Sequence, residues 1–173
     1  MRGLHPRSEN TRSSRLDSTA FLLAQIGAHA SEMFAKRISR LRLKLPQVGL
    51  LRIIAASEGQ SQRALAATLS VVPSKLVQLV DQLEGRGLVE RRAHSTDRRT
   101  HALFLTAKGR QMLGKVGQIA REHEDALLGV LSNLEREQLV SLLRRITEAQ
   151  GLTPGVHPGL RHLGRRRETG RRR

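Results

Sequence analysis

The chain contains no cysteine, no tryptophan and no tyrosine, and three phenylalanines, Phe21, Phe34 and Phe104, complete its stock of large aromatic rings. Without thiols, disulfides, thiolate metal sites and cysteine redox sensing are all excluded. With three rings, no row of aromatic platforms exists on which a single-stranded nucleic acid could stack. Acidic residues are scarce too: 15 Asp and Glu stand against 31 Lys and Arg, a formal net charge of +16. An imbalance of that size suits a polyanionic partner, and duplex nucleic acid fits better than single strands. Long apolar runs are also missing. The most apolar stretch, residues 19–35, is interrupted by Gln25, His29 and Glu32, short of the ~20 apolar residues that a membrane span requires. No membrane segment is expected. Residues 1–16 hold no apolar run of signal-peptide length, so a cytoplasmic location is expected.

What is present describes one domain with basic ends. A length of 173 residues and a hydrophobic content of 38%, before glycine is added, fall in the globular range. Residues 1–16 carry a net charge of +3, residues 17–156 carry +7 and residues 157–173 carry +6. The Arg-rich stretch 161–173 follows the punctuation Gly151, Pro154, Gly155, Pro158 and Gly159. It is expected to be a disordered tail over 151–173, either solvated or binding phosphates without reading sequence, and residues 1–16 are expected to be a disordered basic leader.

Apolar spacing of three and four residues (Leu22, Leu23, Ile26, Ala30, Met33, Phe34) predicts a helix from about Asp17 to Leu41. A second begins at Pro46 and ends by Gly59. Ser61 can cap a short helix, Gln62 to Leu69, and Pro73 opens another through Leu83, closed by Gly85. Two short helices joined by a tight turn form a helix-turn-helix. Leu88–Arg92 and His101–Leu105 then read as two strands flanking a polar loop, a wing. Thr106 can cap a long helix to about Leu131, and Asn133 a last one bearing Leu139, Leu142, Leu143 and Ile146. The fold class is therefore mainly α with a small antiparallel β wing.

The segment LVDQLEGRGLVERRAHSTDRRTHALFLTAKGR, with Asp97-Arg98-Arg99 and Leu105-Thr106-x-Lys108-Gly109-Arg110, resembles the recognition helix, wing and following helix of the MarR family of winged-helix transcriptional regulators. The resemblance covers roughly residues 18–150. It implies a winged-helix domain over 17–150, with a DNA-binding lobe at about 46–106 and dimerisation helices at about 17–41 and 107–150. It also implies that Arg99 enters the minor groove, that Asp97 orients it and that Arg98 lies nearer the phosphates. On the helix opened by Pro73, Leu76, Leu79, Val80 and Leu83 form the inner face, while Ser74, Gln78 and Gln82, spaced by four, line the other with Lys75 beside them. Gln and Lys match the base edges of adenine and guanine in a major groove, so Ser74, Lys75 and Gln78 are the expected base readers. Where the family often carries Thr and Arg, this helix has Val77 and Gln78. Arg63, Arg86, Arg91 and Arg92 are candidate phosphate contacts.

The first and last two helices carry more apolar surface than a small winged core needs, and MarR relatives are two-fold dimers joined through their terminal helices. A homodimer facing an inverted-repeat operator in double-stranded DNA is expected. His29 and His123 fall on the apolar stripes of helices that border the family's effector cleft, which makes them candidates for a small-molecule site. Glu122-His123-Glu124-Asp125 is not read as a metal site, because consecutive helical residues diverge and His123 has no second His four residues away. No phosphate loop, GxSxG or HExxH motif points to an enzyme, and no cofactor is expected. The expected function is a dimeric, sequence-specific transcriptional regulator, a repressor modulated by a small molecule. The alternative is a basic architectural or RNA-binding protein acting through nonspecific electrostatics.

Overall fold

The computed structural model describes residues 18–69, 71–93 and 101–153. Six helices and one two-stranded antiparallel sheet follow in the order α1 (Thr19–Ser39), α2 (Leu45–Ala56), α3 (Gln62–Leu69), α4 (Pro73–Glu84), β1 (Val89–Ala93), β2 (His101–Leu105), α5 (Ala107–Leu128) and α6 (Asn133–Ala149). This is the order expected from hydrophobic periodicity, with α5 ending three residues early.

Helix starts are set by local polar groups. Ser18 Oγ accepts the Phe21 N–H at 3.2 Å, Ser61 Oγ accepts that of Ala64 at 3.1 Å and Thr106 Oγ1 accepts that of Gly109 at 2.9 Å. One expected boundary needs correction. Ser132, not Asn133, caps α6: its Oγ accepts the Glu135 N–H at 3.4 Å while the Glu135 carboxylate accepts the Ser132 N–H at 2.8 Å, a reciprocal box that Asn133 is one residue too late to make. Gly85 caps the C-terminus of α4 as expected, at a helical φ of −60°. The turn that follows becomes left-handed at Gly87, φ +66°, where the Leu88 N–H reaches Leu83 O at 2.9 Å and the Gly87 N–H reaches Glu84 O at 2.7 Å.

Strands β1 and β2 pair from Val89↔Leu105 to Ala93↔His101. Residues 59–61 add a third edge: the Gly59 N–H donates to Leu103 O and the Leu103 N–H to Gln60 O, each at 3.0 Å, and Ser61 bridges Ala102. The core fills the space enclosed by α2, α3, α4 and the sheet, with Leu50, Leu51, Ile54, Leu65, Leu76, Val80, Leu83, Leu88, Leu103 and Leu105 buried. Ile38 of α1 and Val116 of α5 complete it. The long helices beyond this lobe are poorly covered. Helix α6 buries no residue, and Phe21 and Ile26 of α1 and Leu142 and Ile146 of α6 are 48%, 47%, 53% and 45% exposed.

Candidate nucleic-acid interface and effector cavity

Helix α4 is second in the helix-turn-helix, and its inner face is anchored by Leu76, Val80 and Leu83. That anchoring turns Ser74, Lys75 and Gln78 outward, all exposed as their spacing requires. Val77 is also exposed, at 41%, between Lys75 and Gln78. As an apolar residue it was not expected on the reading face, yet it lies off the Leu76-Leu79-Val80-Leu83 stripe, and that was the available signal. Its methyl groups are the type that meets a thymine methyl. Gln82 differs from the other polar residues of this face: its Oε1 accepts the Nε2–H of Gln47 at 3.0 Å. Gln47 is itself buried on α2 and accepts the Lys44 N–H at 2.9 Å. One end of the Gln82 amide is thereby committed to holding α4 against α2.

The four arginines named as phosphate contacts separate into two groups. Arg63 on α3 is exposed. Arg92 is exposed at the wing base, where its guanidinium lies 4.6 Å above the Phe104 ring and its Nε donates to Glu90 Oε1 at 3.1 Å. Arg86 and Arg91 are half-buried and instead tie elements of the fold together. Arg86 donates to the carbonyls of Arg42 and Leu41 at 2.6 and 3.0 Å, closing the carbonyl ends of the α1–α2 turn. Arg91 reaches Glu84, Asp81 and Gln62. Asp97, Arg98 and Arg99 lie outside the described residues.

The segment after the wing is a structural joint. Thr106 Oγ1 donates to Gly87 O at 2.6 Å and Lys108 Nζ to Arg86 O at 2.7 Å. Arg110 Nη1 donates to Leu105 O at 2.9 Å and to Glu58 Oε1 at 3.1 Å, and that same Glu58 oxygen accepts the Leu105 N–H. Gly109 is where α5 touches the turn between α4 and β1: a Cβ there would lie 2.0 Å from Leu88 O. The first turn of α5 is thus fastened to the end of the recognition helix and to the wing.

Helices α1, α2 and α5 enclose a cavity of about 280 Å³ lined by Ala30, Ser31, Phe34, Leu45, Val48, Gly49, Arg52, Ala120 and His123. Of the two histidines singled out in the sequence, His123 lines this cavity and His29 does not. His29 is exposed and borders a separate groove with Thr19, Leu22, Leu23, Gln25 and Ile26. Arg37 Nη1 lies 3.3 Å from His123 Nδ1. A guanidinium can only donate, so Nδ1 is the acceptor and the neutral ring carries its proton on Nε2. Burial holds the His123 pKa below the usual histidine value, Arg37 and His29 push in the same direction, and Glu124 opposes them. The ring also tilts against Phe34, centroid to centroid 5.3 Å. Among the described residues no group of three or more His, Asp or Glu is placed to hold a metal ion, and no helix is long and apolar enough to cross a membrane.

Comparison with known proteins agrees with this architecture. Residues 43–101 match the model of the MarR family. A protein of Thauera aromatica described as the transcriptional regulatory protein for the hcr operon is 36% identical over 126 residues, covering 72% of this chain and 76% of its own. The solved structure of the transcriptional repressor CouR bound to a 23-mer DNA duplex superposes with a TM-score of 0.68 at 32% identity, over 81% of this chain and 99% of that one. CouR from Rhodococcus jostii RHA1 bound to p-coumaroyl-CoA superposes with a TM-score of 0.62 at 28% identity, over 75% and 92%. The six helices, the antiparallel wing and these relatives together establish that the chain belongs to the MarR family of transcriptional regulators.

Proposed function

We propose that the protein is a homodimeric, sequence-specific repressor that acts in the cytoplasm and releases double-stranded DNA when a small anionic molecule enters the α1–α2–α5 cavity. The DNA-binding lobe is α2 through β2, and α1, α5 and α6 form the dimerisation region. The observation that carries the reading is the split of α4 into an anchored inner face and an outward face of Ser74, Lys75, Val77 and Gln78. Such a face fits a major groove, where Lys suits guanine, Gln adenine and Val the thymine methyl. Gln82, partly committed to Gln47, supports the helix and contributes less to reading. Arg63 and Arg92 meet phosphates, and Asp97, Arg98 and Arg99 form the minor-groove wing. The protein acts by binding and has no catalytic step.

Dimerisation follows from the uncovered helices. Helices in proteins draw most of their stability from packing an amphipathic face, and α6, with no buried residue, gains it by packing on a partner. Two copies place two recognition helices about one turn of DNA apart, so the operator is an inverted repeat. A 23-mer duplex, like the one carried by the CouR structure, spans about two turns, enough for both half-sites.

The cavity suits a flat apolar group with a negative end. Its walls are mainly apolar, and the charged groups at its edge are Arg52 and, behind His123, Arg37. Helix α2 connects it to the DNA face: Leu45, Val48, Gly49 and Arg52 line the cavity, while Gln47 on the same helix holds Gln82 of α4. A ligand that displaces α2 displaces the recognition helix, which is the differential contact that allosteric coupling requires. The test is a titration of a defined operator with three variants. Gln78→Ala loses about 1–3 kcal/mol and relaxes preference at one base position; Arg63→Ala weakens all DNA alike and lowers the salt slope by about one; Arg99→Ala loses about 1–3 kcal/mol with the dimer intact. Unchanged binding by Gln78→Ala and Arg99→Ala would contradict the assignment of the groove contacts.

A further inference from the structure

Arg91 occupies an unusual position for an arginine in so basic a protein. It sits on β1, its side chain is 21% exposed, and its donors are taken by other side chains of the protein. Nη1 donates to Glu84 Oε2, Nη2 to Asp81 Oδ1 and Nε to Gln62 Oε1 at 3.4 Å, while its backbone N–H donates to Glu84 Oε1 at 3.3 Å. Asp81 and Glu84 are one turn apart on α4, so their carboxylates stand side by side and match the planar fork of a guanidinium. A lysine ammonium has no such fork. The result is one side chain that joins α3, α4 and β1 at the solvent edge of the lobe, outside the apolar core made by Leu76, Val80 and Leu83.

We infer that Arg91 is a positioning residue for DNA reading, fixing the angle between the recognition helix and the strand that carries the wing. The inference rests on the DNA-reading role proposed for α4. The core restrains α4 along its inner face, and the guanidinium, with one nitrogen on Glu84 and another on Asp81, adds a directional restraint at the outer edge. Gln78 lies one turn from Asp81, so a tilt of α4 about its core anchor moves the reading face directly.

The test uses full-length protein, a duplex that the wild type selects from a random library and a scrambled duplex of equal length, each titrated at several salt concentrations. Thermal stability and oligomeric state are recorded alongside. Arg91→Lys and Arg91→Gln should reduce the ratio of selected to scrambled affinity by about tenfold or more, with scrambled-duplex affinity and salt slope nearly unchanged. Glu84→Gln, at a 38% exposed side chain, should reduce the ratio by roughly threefold, and it decides the matter if the Arg91 variants fail to fold. Equal losses on both duplexes with a salt slope shallower by about one would make Arg91 a phosphate contact and overturn the inference. An unchanged ratio in the folded variants would overturn it as well. A wild-type protein that selects no duplex refutes the DNA-reading role of α4, and the inference with it.

Discussion

Replacing Gly109 by alanine places a methyl group against backbone that cannot retreat without taking the recognition helix or the wing with it. The added Cβ would lie 2.0 Å from Leu88 O and 3.0 Å from the Leu88 carbonyl carbon, where a carbon and a carbonyl oxygen normally stay about 3.3 Å apart. The first turn of α5 must therefore withdraw by more than an ångström. Overpacking of this kind costs about 1–3 kcal/mol. The withdrawal also stretches the bonds from Thr106 to Gly87 O and from Lys108 to Arg86 O, each contributing about 0.5–1.5 kcal/mol. Alanine returns about 1 kcal/mol of helix propensity, leaving a net loss of roughly 1–5 kcal/mol. At about 2–4 °C per kcal/mol for a domain of this size, Tm should fall by roughly 2–20 °C. Gly114→Ala is the control: it lies on the same helix with nothing within 4 Å of the built Cβ, and Tm there should hold or rise. Thermal unfolding at fixed protein concentration, which removes the effect of dimerisation, measures both. Equal Tm values for the two variants would refute the account of this joint.

Ile26→Glu on α1 and Ile146→Glu on α6 should each weaken self-association at least about a hundredfold, since an unpaired charge buried at an interface costs about 3–5 kcal/mol. Sedimentation velocity reads the result, and dimers unaffected by both variants would remove these helices from the interface. His123 supplies a pH signature. Its folded pKa lies below the unfolded value of about 6.5 because burial and Arg37 disfavour the cation. The stability it contributes is therefore present above about pH 6.5 and is lost as pH falls below that value towards the folded pKa. His123→Gln should flatten the decline in Tm between pH 7.5 and 5.5, and an identical decline in variant and wild type would remove His123 as its source.

Elements with strong periodicity are legible in the residues alone. The stripe Leu76-Leu79-Val80-Leu83 locates both faces of α4, and the polar segment between two β-rich runs locates the wing. Local polar chemistry is less decisive at helix ends. Ser132 and Asn133 are both good caps, and Glu135, three residues after Ser132, selects between them. Gly85 caps α4 at a helical φ, and the left-handed φ of +66° falls two residues later, on Gly87. Which cations have partners is not legible in one dimension, where Arg86 and Arg91 look like Arg63. Arg86 meets the Leu41 and Arg42 carbonyls, more than forty positions away, and Arg91 joins Gln62, Asp81 and Glu84 across three elements. The contribution of Gln47 is hidden for the same reason, because its bond to Gln82 forms only when α2 packs on α4.

The central claim is that a symmetric pair of recognition helices reads a defined duplex. Its most direct test is selection from a random double-stranded library at near-physiological salt, with competing unspecific DNA present so that the basic ends of the chain do not dominate. The account predicts enrichment of an inverted repeat whose half-sites lie about one helical turn apart. Binding that enriches no sequence and simply fades as salt rises would contradict it and favour a protein acting through charge alone.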